Sequence, residues 1–407
     1  MNKPFVKEML TRYWFNATLA VMFVLTIIVL TMCSHCSKPE GMSREESEKY
    51  ATEAWQIALT QRSEQLKPMW ENRVMKAEKW SMPFDVKVYG EKPEDGRSLY
   101  ISMHGGGNTT PEMNNQQWEN QKRLYTPAEG VYIAPRAAVD DWNMWFRPHV
   151  DTLFAQIIQG AVAFHDVNPN KVYLVGYSAG GDGVYRMAPR MADYWAASSM
   201  MAGHPGEASA VNLRNIGFMV WMGEHDAAYN RNRLAVEYGA MMDSLEQSEP
   251  ANYNPKGYAH KTTIVEGCGH WMNRADTAAI EWINDFERNP RPEYIVWRQE
   301  ESGLRDCFYN LSVPKEEMAP GKEARVSFHK NVITIVHNDY NTLYIHLNDQ
   351  IVDLNKKVCI LYNSTEIFND YVPRKAEHID ASIEKRMDSE YIFNAVISIV
   401  NGETRAL

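Results

Sequence analysis

Lys171-Val172-Tyr173-Leu174-Val175-Gly176-Tyr177-Ser178-Ala179-Gly180-Gly181 is the stretch on which the reading of this chain turns. Up to Val175 it is mostly apolar and β-rich, the composition of a buried strand. Gly-Tyr-Ser-Ala-Gly comes next, and Asp182 to Met191 reads as a helix. Strand, G-x-S-x-G and helix, in that order, are the setting in which the motif marks an elbow that presents a nucleophile. So tight a turn leaves little room for side chains two positions either side of the serine, hence Gly176 and Gly180. Ser178 Oγ is therefore expected at the carboxyl end of the sheet, above a helix N-terminus.

Strands and helices alternate on both sides of this elbow. Asp85 to Tyr89, Ser98 to Met103 and Val131 to Ala134 read as strands before it. Leu153, Phe154, Ile157, Ile158, Ala161, Val162 and Phe164 give one apolar face of a crossover helix. After it come strands over Ala196 to Ala202, Ile216 to Met222 and Thr262 to Val265. Helices are expected over Leu234 to Leu245 and Thr277 to Phe286. Such alternation predicts an α/β fold with a mainly parallel sheet and helices on both faces. Ligands of such sheets gather at the carboxyl ends of the strands.

A serine hydroxyl needs a general base, the base needs an orienting acid, and the developing oxyanion needs donors. Gly223-Glu224-His225-Asp226 follows one strand and Gly267-Cys268-Gly269-His270-Trp271 another. Ser178, then an acid, then His270 is the chain order of this fold's triads. Asp226 is the preferred acid because it lies further past its strand end, with Glu224 as competitor. A helix cap at Asp226 and a surface role for His270 are the plain structural alternatives. Upstream, His104-Gly105-Gly106-Gly107 follows a strand, where backbone donors for an oxyanion should lie. With no Lys-Ser/Thr after it, that run is not a phosphate loop. The pattern calls for no metal and no cofactor.

The 407 residues are 44% hydrophobic and 23% charged, as in a globular protein. Lys plus Arg is 42 and Asp plus Glu is 52, giving a net charge of −10. With no basic stripe, nucleic-acid binding is not expected. Lys3, Lys7 and Arg12 precede an apolar run from Ala17 to Met32, so residues 1–36 read as a signal or membrane-anchor segment and the chain as exported. Lipidation at Cys33, cleavage, or retention as an anchor all stay open. Residues 37–82 are expected to be helical: Ser43 and Glu46 form a capping box, and Pro68 separates a second helical piece carrying Trp70, Val74 and Met75. Residues 83–290 form the α/β unit. Past a linker at Asn289-Pro290-Arg291-Pro292, residues 291–407 read as a β-rich domain with one helix, Ala376 to Arg386. Cys268, Cys307 and Cys359 allow at most one disulfide.

On these motifs the segment from about Phe84 to Arg288 resembles the α/β-hydrolase superfamily. Within it the chain is similar to exported bacterial esterases of the polyhydroxybutyrate-depolymerase and feruloyl-esterase type, and more loosely to prolyl-oligopeptidase catalytic domains. The resemblance implies Ser178 as nucleophile, Asp226 as acid, His270 as base, and Gly105, Gly106 and Ala179 around an oxyanion hole. It implies a small-molecule or polymer ester as substrate. His104, Trp142, Trp145 and Trp271 are candidate pocket walls for a sugar or aromatic ring. A serine peptidase is one rival, although only about eighty residues precede the hydrolase segment, too few for a β-propeller. A binding protein on a catalytically dead hydrolase fold is the other.

Overall fold

Eight strands make the sheet that carries Ser178: β1 (Val74–Ala77), β2 (Trp80–Tyr89), β3 (Arg97–Met103), β4 (Gly130–Pro135), β5 (Val167–Tyr177), β6 (Ala197–Met201), β7 (Gly217–Gly223) and β8 (His260–Val265). The computed structural model describes residues 41–249, 253 and 256–407, so the segment expected to be a signal or anchor, with Cys33 and Cys36, lies outside the described residues. The strand order is β1-β2-β4-β3-β5-β6-β7-β8. β2 runs antiparallel to β1 and β4, and every pairing from β4 through β8 is parallel. This is the mainly parallel α/β sheet that the alternation of elements predicts, in the arrangement that the resemblance to α/β-hydrolases implies.

Because both faces are covered, the central strands read as continuous apolar runs. Leu174 faces one core cluster while Tyr173 and Val175 face the other, the two-residue period of a strand buried on both sides. Helices α2 (Pro111–Gln121), α3 (Pro148–His165), α4 (Ala179–Arg190) and α5 (Arg231–Gln247) cover the sheet.

Before the sheet, α1 (Arg44–Glu71) starts at the expected capping box, with both Ser43–Glu46 bonds formed. It runs through Pro68 rather than stopping there. Asn72 takes the Pro68 carbonyl with its backbone and its side-chain amide. Val74 and Met75, expected in a second helix, instead pair with Pro83 and Met82 across the β1–β2 hairpin. Trp70 lies over Gly160 of α3, where an added Cβ would stand 2.4 Å from the indole. The helix expected over Thr277 to Phe286 shortens to a 3₁₀ turn and α6 (Ala279–Ile283).

Beyond residue 291 lie two five-stranded sheets and α7 (Ala376–Arg386). One sheet joins β10 (Cys307–Phe308), β11 (Leu311–Ser312), β14 (Thr342–Leu347), β17 (Ala395–Val400) and β18 (Glu403–Ala406). The other joins β16 (Thr365–Asp370), β15 (Val358–Tyr362), β13 (Val332–Asn338), β12 (Glu323–His329) and β9 (Tyr294–Arg298). The stretch around Pro290 is not a loose hinge. Arg288 is buried, 2.6 Å from Asp388, and Arg386 of α7 lies 2.6 Å from the fully buried Asp193 after α4. One apolar core runs on from Leu66 to Ile399, and Met42–Leu407 forms one compact unit. Cys268, Cys307 and Cys359 are free thiols.

Candidate active site

The elbow forms as its glycines require. A Cβ on Gly176 would stand 2.2 Å from the Gly180 carbonyl, and one on Gly180 would stand 2.1 Å from that of Met103. Ser178 sits between them at φ 57°, ψ −118°, a region other than helix or strand that a non-glycine residue holds only under constraint. Its amide donates to Met201 at 2.9 Å and its carbonyl accepts from Asp182 at 2.9 Å. Those two bonds fix the strained serine between β6 and α4.

His270 Nε2 lies 2.9 Å from Ser178 Oγ, and His270 Nδ1 lies 2.7 Å from Asp226 Oδ2. Asp226 is buried beyond the end of β7, with Arg231 at 3.8 Å from its other oxygen and the Asn232 amide donating to its backbone carbonyl. The loop carrying His270 closes on the end of β7: the His225 amide donates to Cys268 at 2.8 Å. Glu224, the competing acid, points elsewhere and accepts from the Gly267 amide at 2.8 Å. The Tyr177 hydroxyl donates to the His270 carbonyl. Sequence alone did not mark Tyr177 out, although its place next to the nucleophile in the motif was visible.

The glycine run lies against the nucleophile, with the Gly105 Cβ position 3.2 Å from Ser178 Cβ. His104 is not a pocket wall. It is fully buried, its Nε2 accepts from the Ala137 amide at 3.2 Å and its Nδ1 donates to the Gly105 carbonyl at 2.6 Å. Burial pushes this imidazole down to about 3, which keeps it neutral and able to make both bonds. Because a trans peptide points C=O and N–H in opposite directions, tying the Gly105 carbonyl to His104 turns the Gly106 N–H away from it. The Gly107 amide is taken by Asn114 Oδ1 at 2.8 Å, whereas among the described residues the Gly105 and Gly106 amides have no partner. Ala179, first residue of α4, has no intrahelical acceptor for its amide either. Three backbone donors are thus available beside Ser178.

Trp145 is also displaced from the expected pocket. Its indole is fully buried and donates to the His104 carbonyl at 2.8 Å, so it belongs to the packing behind the glycine run. Trp142 is exposed and sits edge-on to Phe146 at 5.4 Å, outside the cavity wall. Trp271 alone of the three tryptophans lines the cavity. That cavity, about 660 Å³, opens over Ser178 and His270 and is walled further by Met113, Gln117, Leu124 and Arg274. A larger cleft of about 770 Å³ is lined by α1, α3 and α7 and contains no member of the triad. Among the described residues no cluster of ligating side chains could hold a metal ion.

No family model and no curated protein matches this chain. Among solved structures it is similar to a thermostable esterase, at 18% identity and TM-score 0.39, over 53% of this chain and 62% of that one. It is similar to a ferulic acid esterase at 17% identity and TM-score 0.37, over 52% and 95% of the two chains. An acetyl xylan esterase from Aspergillus awamori is similar at 12% identity and TM-score 0.34, over 50% and 93%. The matched part thus spans less than two thirds of the thermostable esterase and nearly all of the other two.

Proposed function

We propose that this protein is a serine hydrolase that cleaves carboxylic esters through an acyl-enzyme on Ser178. One observation carries the reading: the unbroken relay from Ser178 Oγ through both His270 nitrogens to buried Asp226, at the floor of an open cavity. His270 takes the Ser178 proton as Oγ attacks the ester carbonyl, and Asp226 holds the imidazole in the tautomer that can accept it. The amides of Ala179, Gly105 and Gly106 then receive the negative charge that develops on the carbonyl oxygen. His270 returns the proton to the departing alkoxide, and a second round with water releases the acid. Complete relay and open donors together argue against a merely binding role.

The apolar part of the wall, Met113, Leu124 and Trp271, suits a flat aromatic or sugar ring on the ester. We further propose, from the charged and apolar pattern of residues 1–36, that the chain is exported and works at the cell envelope; among the described residues no helix is long and apolar enough to cross a membrane.

A fluorophosphonate probe tests the central claim. It should label the folded protein once, at Ser178, and the Ser178→Ala variant should be neither labelled nor active on short acyl esters. Labelling at another residue, or none in a folded sample, refutes the acyl-enzyme.

A further inference from the structure

Two arginines stand at the cavity that opens over Ser178, and both were silent in the sequence. Arg123 follows α2 and Arg274 follows the histidine loop, yet both line the same wall as Gln117, Asn120, Leu124 and Trp271. Among the described residues no aspartate or glutamate lines it, in a protein whose net charge is −10. Most buried arginines here are matched with acids: Arg190 with Asp151, Arg214 with Glu249, Arg288 with Asp388, Arg374 with Asp349. Arg123 and Arg274 are exposed at the mouth of the cavity, and among the described residues neither forms an ion pair with a carboxylate.

Their placement is held by backbone. Arg274 donates through one terminal nitrogen to the Leu124 carbonyl at 2.9 Å, and Arg123 donates through Nε to the Glu119 carbonyl at 3.2 Å. Each guanidinium keeps further N–H groups beyond the one so used. Arg274 itself adopts φ 65°, a left-handed conformation that costs a non-glycine residue energy. Asp276, two residues on from Arg274, is the nearest acid in the sequence. It is buried, its Oδ2 accepts from the Tyr125 hydroxyl at 2.6 Å, and burial pushes it toward the neutral form. The carboxylate of Glu119, on the same turn as Arg123, is engaged by Lys122 at 2.6 Å.

We infer that the ester this site cleaves carries a carboxylate, which Arg123 and Arg274 receive while Ser178 attacks the ester carbonyl. The inference rests on the serine-hydrolase reading above and names its substrate class. A guanidinium presents paired N–H groups in a plane, the geometry a carboxylate accepts, and a charged hydrogen bond is stronger than a neutral one. A cavity with one sign of charge, in a molecule of the opposite sign, also concentrates anions that the rest of the surface repels. The apolar patch of Met113, Leu124 and Trp271 beside the two cations fits an ester of a half-apolar acid.

Matched pairs of esters test this. On the acyl side, para-nitrophenyl butyrate is compared with mono-para-nitrophenyl succinate. On the leaving-group side, para-acetoxybenzamide is compared with para-acetoxybenzoate. In at least one pair the anionic ester should be preferred by about tenfold or more in kcat/KM at low salt. The preference should shrink as salt is raised. Arg123→Gln and Arg274→Gln should each reduce the ratio of anionic to neutral turnover, and the double variant should bring it close to one. Arg123→Gln guards the test if the Arg274 variant folds poorly, because Arg123 is exposed and its side-chain hydrogen bond among the described residues stays within its own turn. Equal turnover within both pairs overturns the inference and leaves the esterase reading standing. A preference that survives the double variant overturns it as well, since the charge is then read elsewhere. If no ester is turned over and no fluorophosphonate labels Ser178, the hydrolase reading falls and this inference falls with it.

Discussion

Glu224 and Asp226 are two residues apart, and their carboxylates serve different partners: Glu224 Oε2 holds the Gly267 amide at 2.8 Å, Asp226 Oδ2 holds His270 Nδ1 at 2.7 Å. One steadies the loop and the other steadies the ring at its end. The sequence preferred Asp226 on its distance past the strand end, and the geometry supplies the physical reason. Asp226 is almost fully buried under the imidazole, while Glu224 stays half in solvent.

Asp226→Asn should therefore be the severe change, with kcat on a short acyl ester falling on the order of 10⁴-fold, as for the corresponding change in a serine-protease triad. Glu224→Gln keeps an oxygen for the Gly267 amide and should cost less than about tenfold. Steady-state kinetics on both, with circular dichroism to confirm folding, decides it. The reverse order would move the acid to Glu224.

Gly180→Ala probes the elbow itself. Its new methyl would meet the Met103 carbonyl at 2.1 Å, a backbone atom with nowhere to go. Fluorophosphonate labelling should vanish and the melting temperature should drop. Full labelling of a stable Gly180→Ala protein would show that the turn is looser than described.

The two halves should not part. Asp193→Asn leaves Arg386 without its counter-ion in a dry site, and breaking a buried pair in this way costs about 3–5 kcal/mol. Urea titration should show that loss, and a chain ending at Arg288 should fail to fold, since it also strips Arg288 of Asp388. A soluble, cooperative, active truncation would mean that the shared core is dispensable.

Glu300 gives a pH signature. Burial pushes its carboxyl from 4.5 up to about 7, although it accepts from the Ser209 amide. Between those two values the folded chain binds more protons than the unfolded one, so stability from this group falls as pH rises and levels off above about 7. Replacing it with neutral glutamine removes that dependence. The stability of Glu300→Gln relative to the parent should thus increase by roughly 2 kcal/mol from about pH 5 to about pH 8. Parallel profiles for the two proteins would contradict the burial of Glu300.

What was legible in the sequence was local or periodic. The elbow declares itself because the glycines and the serine meet one another within five residues. The α7 helix was read at its observed bounds because its pattern is carried on a single stretch. His104 and Trp145 were misjudged because their burial depends on each other and on Ala137, which the chain brings together only in three dimensions. Trp145 sits among Asp141, Asn143 and Arg147, neighbours that suggest solvent. The helix α2 went unnoticed because Pro111 to Gln121 is mostly polar, although Thr110 and Pro111 carried a cap signal: the Thr110 hydroxyl accepts from the Met113 amide. Arg123 and Arg274, both exposed, look like ordinary surface charges until the fold sets them on one cavity wall.

The interlock between the start of the first helix and residues 374 to 394 also bears on the order of events during synthesis. Met42 donates to the Arg374 carbonyl and Ser47 accepts from Asn394, so the start of the first helix completes its seat on a residue 347 positions later in the chain. Asp193 likewise waits for Arg386. A chain emerging from its N-terminus would leave the apolar surface that these later residues cover exposed until they are made, the interval in which such surface is most prone to stick to its neighbours. A chain cut short before Asn394 should accordingly yield material for a protease rather than a smaller folded protein.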